Sequence, residues 1–224
     1  MGVNALSKKL RPSGETPDSV ANCPVLKGKR IGLDLSVLLH KALANIDGAG
    51  EYHVKPAIPN SVVQERCNRL CSYAKANSIK YVICVDGKYH PMKAAENDAR
   101  KADRDKAQSE LDALFGTNDI NNILTSDKKK LNEALKLMKR SVQVTPDVIA
   151  TAVRVFKEND HEVYGAPFEA DWQLVFWELS GFTGATITID SDIWAMGSKV
   201  YVDLLDYNSA EGKCKVLERD NVKG

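Results

Sequence analysis

The sequence predicts an α/β fold in which a mainly parallel sheet is covered by helices on both faces. Three short apolar runs each end in an aspartate, and their continuity is typical of strands buried on both faces. Helical stretches separate the runs, as the crossovers between parallel strands require. With 224 residues, of which 43% are hydrophobic, the chain is long enough to bury one full core, and we expect a single domain.

The first half of the chain supplies two of these strands and two helices. Residues 29–34 are the first predicted strand, whose apolar run is 31–33, and a helix is expected from 35 to about 45. A second helix begins at Ser61, because apolar residues follow at spacings of three and four. Residues 81–87 are the second predicted strand, which also closes on an aspartate.

The second half continues the alternation. Thr145 and Pro146 mark a helix start, with Thr145 as the N-cap and Pro146 in the first helical position. The predicted elements are highly charged helices over 91–114 and 127–140, a helix from Pro146, a strand over 161–164, a helix over 168–179, a strand over 185–189, and a closing β pair at 199–205 and 213–217.

Composition narrows the class of protein. The formal net charge is only +1, which gives no support to nucleic-acid binding by bulk positive charge, so any basic surface must be local. Five cysteines without a C-x-x-C pair are typical of reduced, buried thiols in an intracellular protein. No apolar run is long enough to span a bilayer, and the start of the chain lacks the apolar stretch of a secretory signal, so we expect a soluble protein that does not bind membranes.

Six carboxylates occupy the positions where this fold places its ligand site, at the carboxyl ends of the strands. One such acid is ordinary turn chemistry, and a pair at a helix start is ordinary helix N-terminal charge. Several converging acids repel one another unless a cation neutralises them, and oxygen ligands favour Mg²⁺ or Mn²⁺ over zinc. Their number suits two ions. The six are Asp34, Asp86 and Asp190 at strand ends, Asp192 beside the last, and Glu169 with Asp171 at a helix start.

The motifs that contain these acids resemble the flap endonuclease / exonuclease 1 superfamily of structure-specific 5′ nucleases, of the xeroderma pigmentosum G type. They occur in the same order along the chain as in the family, over nearly the whole sequence, and their residues are more similar to those of exonuclease 1. The resemblance implies a PIN-like nuclease core with a helical arch over the active site, divided into an N-terminal region (1–108), an arch (88–140) and an internal nuclease region (141–224). The matching segments are Met1-Gly2-Val3 with Leu6, Gly32-Leu33-Asp34 through His40-Lys41, Val85-Asp86-Gly87-Lys88 with Lys93 and Arg100, Ala166-Pro167-Phe168-Glu169-Ala170-Asp171, and Thr188-Ile189-Asp190-Ser191-Asp192 with Gly197.

The resemblance also implies a role for individual residues. It assigns the acids to two Mg²⁺ ions, which Mn²⁺ could replace, with Asp34, Asp86, Glu169 and Asp171 toward one ion and Asp190 and Asp192 toward the other. Outside the acids, it implies that Gly2, His40, Lys93, Arg100 and Arg104 contact the substrate. Lys93 and Arg100 would contact the scissile phosphate at the base of the arch, and His40 would stack on the terminal base. Spacing alone favours a solvated helix surface for the two cations, because acids are interleaved with them.

The activity that the resemblance implies is metal-dependent hydrolysis of DNA at 5′ ends or 5′ flaps during replication or repair. We expect a nuclear monomer whose partners are such DNA and replication or repair proteins. The family's helix–hairpin–helix segment, which binds duplex DNA and supplies a further aspartate, has no counterpart before Gly224, so a truncated chain and a minimal family member both remain open. The alternative is a catalytically impaired domain that binds nucleic acid or a protein partner. A phosphatase with a nucleophilic Asp34 is a distant third, because no acid stands two residues later.

Overall fold

A computed structural model describes residues 26–44, 60–88, 91–115, 128–188, 190, 192–208 and 213–218. Within these residues, six strands form one sheet, and the predicted mainly parallel sheet is confirmed. The strands are β1 (Arg30–Asp34), β2 (Lys80–Val85), β3 (Glu162–Gly165), β4 (Ala185–Thr188), β5 (Val200–Asn208) and β6 (Lys213–Glu218). Their order across the sheet is β3-β2-β1-β4-β5-β6, in which only the last pair is antiparallel.

Helices connect the strands, largely where the sequence predicts them. Thr145 accepts a hydrogen bond from the Val148 amide, which confirms the predicted N-cap. The helices are α1 (Leu35–Ala44), α2 (Asn60–Ala76), α3 (Ala94–Phe115) after a 3₁₀ turn (Pro91–Lys93), α4 (Lys128–Ser141), α5 (Pro146–Glu158), α6 (Ala170–Leu179) and α7 (Asp192–Ala195).

Two details differ from the sequence prediction. The helix expected from residue 168 begins at Ala170, because Glu169 has extended backbone angles (φ −84°, ψ 148°) and serves as its N-cap. The short helix α7 was not predicted, since a single turn has no hydrophobic period that could reveal it.

Different helices cover the two faces of the sheet. Along β2, Tyr81 and Ile83 point into the larger core, which α2 and α5 cover, while Val82 and Cys84 point to the face that α6 covers. This alternation is the period of two that a strand imposes. The close packing of α6 favours a glycine at position 32, because a Cβ there would lie 2.8 Å from the end of the Leu174 side chain, which would have to move.

The helices α3 and α4 pack against each other through a small core of their own, separate from the core of the sheet. That core contains Ala107, Leu111 and Phe115 of α3 and Ala134, Leu137 and Met138 of α4. Arg140, near the end of α4, forms ion pairs with Asp103 and, at 3.9 Å, with Glu110. The charged stretches that were predicted as arch helices therefore form a helical pair beside the sheet.

Two further observations concern the described residues. Cys67, Cys71 and Cys84 are buried free thiols, as the sequence predicts for reduced cysteines. Among the helices described, none has the length and apolar character needed to cross a bilayer.

Candidate active site

The topological switch point of the sheet lies between β1 and β4. From β1 the chain continues to β2 and β3 on one side, and it then returns to β4 on the other side. In open α/β sheets the crevice outside the carboxyl ends of the strands at such a point is where ligands bind. Asp34 is the last residue of β1, Asp86 follows β2 directly, and Asp190 lies two residues beyond β4. The fold thus brings three of the predicted acids to this crevice.

Asp34 is the most buried of these acids, with 5% of its surface exposed. Its Oδ1 accepts a hydrogen bond of 3.1 Å from the Val37 amide, so the side chain caps α1. Burial, together with the negative charges of Asp86 and Asp171, raises the pKa of this carboxyl to about 7 even though the amide hydrogen bond opposes the shift.

Asp86 is exposed and held by two donors. Its Oδ2 accepts a hydrogen bond of 2.5 Å from the Ser36 hydroxyl, and its Oδ1 accepts one of 2.8 Å from the Ala170 amide. The neighbouring Gly87 amide donates to the Phe168 carbonyl at 2.6 Å. The end of β2 is therefore fastened directly to the start of α6.

The start of α6 carries the predicted pair of acids. Glu169 is the N-cap residue but makes no side-chain capping bond; its carboxylate instead faces Lys93, whose Nζ lies 2.7 Å from both oxygens. Asp171 is in the first helical turn. Burial and the charges of Asp190, Asp86 and Glu169 raise the pKa of Asp171 to about 7, while the Lys93 charge opposes that rise.

Asp190 and Asp192 are tied to each other after β4. The Asp190 amide donates to Thr188 Oγ1 at 3.1 Å, and the Asp190 carboxylate accepts a hydrogen bond of 2.8 Å from the Asp192 amide at the start of α7. Asp190 is close enough to Asp171 to raise the pKa of that residue. Asp192 is therefore connected to the cluster through Asp190.

The donor set fits a hard divalent cation. Within the described ranges, the geometry contains no ready-formed group of three or more His, Cys, Asp or Glu ligands. Burial first, and the charges of neighbouring carboxylates after it, raise the pKa of Asp34 and of Asp171, so a bound cation would relieve an unfavourable environment for both charged groups. All candidate ligands are carboxylate oxygens, which Mg²⁺ and Mn²⁺ prefer. Metal binding by the six acids stays a prediction, and the chemistry of the residues agrees with it.

The predicted substrate-binding residues lie at the foot of the α3–α4 pair. Arg100 and Arg104 of α3 and His40 of α1 line a cavity of about 590 Å³, to which Lys139 and Arg140 of α4 also contribute. Arg100 forms an ion pair of 2.5 Å with Glu96 on its own helix. Partial removal of solvent from the ring, together with the positive charges of Arg104 and Arg100, lowers the pKa of His40 from its ordinary value. Gly2 lies outside the described residues.

Two residues that support the site were not predicted as functional. Ser36 holds Asp86, and Glu178 on α6 binds the backbone that leads from α7 into β5. Ser36 carried only the weak signal of a hydroxyl in the first turn after a strand-end aspartate. Glu178 carried none, because a glutamate within an apolar helix pattern does not reveal which backbone groups it will meet.

Comparison with known proteins agrees with the motif resemblance. Residues 1–107 match the family model described as the XPG N-terminal domain. The exodeoxyribonuclease 1 of Schizosaccharomyces pombe is 25% identical over 228 residues, an alignment that covers 99% of this chain and 35% of that protein. The chain thus spans about a third of the length of this curated relative.

Solved structures share the fold. The catalytic core of Rad2 in complex with DNA substrate has a TM-score of 0.65 and 18% identity, covering 98% of this chain and 56% of that one. The Holliday junction-resolving enzyme GEN1, in complex with product DNA and Mg²⁺, has a TM-score of 0.56 and 15% identity, covering 98% and 40%. These likenesses confirm the predicted nuclease-core fold. Together with the family match, they confirm the resemblance of this chain to the flap endonuclease / exonuclease 1 superfamily.

Proposed function

We propose that this chain is a metal-dependent nuclease core that hydrolyses DNA phosphodiesters at 5′ ends or 5′ flaps. The observation that carries the proposal is the convergence of Asp34, Asp86, Glu169, Asp171 and Asp190 at the switch point, with the pKa of two of them raised to about 7. Burying carboxylates beside one another is costly for folding and is typical of a functional site.

The carboxylates would hold divalent metal in two groups. Asp34, Asp86, Glu169 and Asp171 would share one Mg²⁺, and Asp190 with Asp192 would hold a second. When bound, such ions supply a hydroxide nucleophile and stabilise the leaving oxygen. The GEN1 structure, which contains Mg²⁺ and product DNA, supports the choice of metal. In the reaction a water oxygen bonds to phosphorus, the bond from phosphorus to the leaving oxygen breaks, and that oxygen takes up a proton.

The arch residues would contribute positive charge that an acidic site lacks. Carboxylates repel a phosphodiester, so cations must lie beside them if the substrate is to approach. Lys93 already touches the cluster through Glu169, and Arg100 and Arg104 line the adjoining cavity. We assign Lys93 and Arg100 to the scissile phosphate, Arg104 to the neighbouring backbone, and His40 to stacking on the terminal base. The 5′ end of the DNA, a nuclear location, a monomeric state and partners in replication or repair are parts of the same proposal.

The deciding experiment is cleavage of a labelled 5′-flap duplex and a labelled blunt duplex in Mg²⁺, in Mn²⁺ and in chelator. The test variant is Asp190→Ala. The matched control is Glu158→Ala, which removes an exposed acid that pairs with Arg154 on α5, away from the site. We expect the control to cleave and the test variant to lose cleavage while still binding DNA. DNA binding by the parent protein without cleavage in any divalent ion would refute the proposal and favour the impaired, binding-only domain.

A further inference from the structure

Glu178 is a buried acid on α6, with 6% of its surface exposed, and its two carboxylate oxygens accept four hydrogen bonds. Its Oε1 accepts hydrogen bonds of 2.5 Å from the amides of Lys199 and Val200. Its Oε2 accepts a hydrogen bond of 3.0 Å from the Thr186 hydroxyl and one of 2.8 Å from the Ser198 hydroxyl. One carboxylate thus binds β4 and the connection that leads from α7 into β5.

That connection is continuous with the second pair of candidate metal ligands. The Met196 amide donates to the Asp192 carbonyl at 3.0 Å, and the Ser198 amide donates to the Ile193 carbonyl at 3.1 Å. Gly197 completes the turn with a φ of +111°, which a residue with a side chain adopts only with strain. Residues 192–198 therefore form a closed turn, and Glu178 holds its far end.

The same helix carries two of the first group of candidate ligands at its opposite end. Glu169 is the N-cap of α6 and Asp171 is in its first turn. Asp171 precedes Glu178 by seven residues, so a rise of about 1.5 Å per residue puts them roughly 10 Å apart along the helix axis. An α-helix of this length is rigid. Any group that Glu178 holds is therefore held at a set distance from Asp171.

We propose that Glu178 is a positioning residue, which fixes the turn carrying Asp192 and the strand leading to Asp190 relative to the helix carrying Glu169 and Asp171. This inference rests on the proposed function for its consequence, which is that the spacing between the two metal-binding groups depends on Glu178. The hydrogen bonds themselves are independent of that function.

The chemistry of the four donors gives two informative substitutions. In Glu178→Gln the amide oxygen still accepts from the two backbone amides, and the amide nitrogen donates to the two hydroxyls, which can rotate to accept. Glu178→Leu has a similar size but removes the acceptor that the two amides and the two hydroxyls share. The glutamine variant should thus keep the hydrogen bonds that join α6 to β4 and to the connection into β5, and the leucine variant should lose them.

The experiment compares these variants with Val155→Ala, which truncates a buried side chain of α5 in the core on the other face of the sheet. Amide hydrogen exchange by mass spectrometry, Mn²⁺ binding by calorimetry and flap cleavage are measured on each full chain. In Glu178→Leu we expect faster exchange confined to residues 192–200 and Mn²⁺ binding weaker by roughly 10–100-fold, the usual effect of losing a group that orients metal ligands. Glu178→Gln should stay within about threefold of the parent, and Val155→Ala should lower thermal stability without either local effect.

Uniform exchange in Glu178→Leu, matching that of Val155→Ala, would overturn the inference, as would a glutamine variant as impaired as the leucine one. If Glu178→Leu does not fold, Ser198→Ala removes a single hydroxyl donor and should accelerate exchange over the same residues, and an unchanged profile would overturn the inference. A parent protein that neither binds Mn²⁺ nor cleaves DNA would refute the proposed function, whereas the exchange profile decides the role of Glu178 in either case.

Discussion

Replacing Gly87 with alanine should separate the two halves of the candidate site. A Cβ at this position would lie 2.0 Å from the Ala166 carbonyl oxygen and 2.8 Å from that of Pro167. Both contacts are with backbone, so no side-chain rotation can relieve them, and the turn over residues 166–168 must move by about 1 Å or more to restore ordinary contact distances. That movement breaks the 2.6 Å hydrogen bond from Gly87 to Phe168 and pulls the start of α6 away from β2.

The size of the effect follows from these contacts. Forcing a methyl group into a packed site costs about 1–3 kcal/mol, and the lost backbone hydrogen bond adds about 1 kcal/mol. For a chain of this length, a total of roughly 2–4 kcal/mol lowers the melting temperature by about 4–16 °C. Because Asp86 also accepts a bond from the Ala170 amide, its carboxylate loses its place beside Asp171, and cleavage should fall more than stability alone predicts.

The assay is thermal unfolding by circular dichroism, together with Mn²⁺ calorimetry and flap cleavage well below the melting temperature. Gly165→Ala is the matched control, because it lies in the same region and its added Cβ would meet no atom within 4 Å. We expect this control to behave as the parent protein. The reasoning is refuted if Gly87→Ala melts within about 1 °C of Gly165→Ala or binds Mn²⁺ with equal affinity.

Four further predictions concern the acids of the site and the groups that contact them. The pKa values of Asp34 and Asp171 are raised, so the folded protein binds more protons than the unfolded chain between about pH 4 and 7. The metal-free protein should therefore lose stability as the pH rises through this range, and saturating Mg²⁺ should abolish the loss. Differential scanning calorimetry at pH 5 and pH 8, with and without Mg²⁺, measures both effects. Asp34→Asn, which can still cap α1, should raise the stability of the metal-free protein at pH 8 in the same calorimetric measurement. In the flap assay the same variant should lose cleavage. Ser36→Ala removes one of the two donors to Asp86 and should weaken Mn²⁺ binding by roughly 10-fold or more at nearly unchanged melting temperature; an unchanged affinity would refute this role. Lys93→Ala should reduce the rate of single-turnover cleavage by more than about 10-fold, because a cation at the phosphate is lost. The fold should stay intact, because the Lys93 side chain is partly exposed. Equal cleavage rates in the variant and the parent would exclude contact between Lys93 and the scissile phosphate.

The positions of the acids could be predicted from the sequence because they depend on short-range pattern. An apolar run that ends in aspartate is visible locally, and the parallel arrangement then brings such ends to one edge of the sheet. The partners of the acids could not be predicted in this way. Ser36 meets Asp86 from a distance of 50 residues along the chain, and Lys93 meets Glu169 from 76, so each contact exists only once the sheet order is set. The short helix α7 was missed for a different reason, since its start is marked by one hydrogen bond from the Asp192 amide to Asp190 and its single turn has no hydrophobic period.

The geometry of the site depends on the position of α6, and contacts at both ends of this helix determine that position. At the start, Gly87 and Asp86 bind the backbone of residues 168 and 170, and at the end Glu178 binds the connection into β5. Between the two ends, the Leu174 side chain packs over Gly32, where a Cβ would lie 2.8 Å from its terminal methyl group and would force that side chain to repack. Variants at the two ends should therefore impair metal binding through the same displacement. Because they act on one rigid element, Gly87→Ala combined with Ser198→Ala should weaken Mn²⁺ binding by less than the product of the two single effects. Strictly multiplicative effects in this double-mutant cycle would show that the two ends act on separate metal-binding groups.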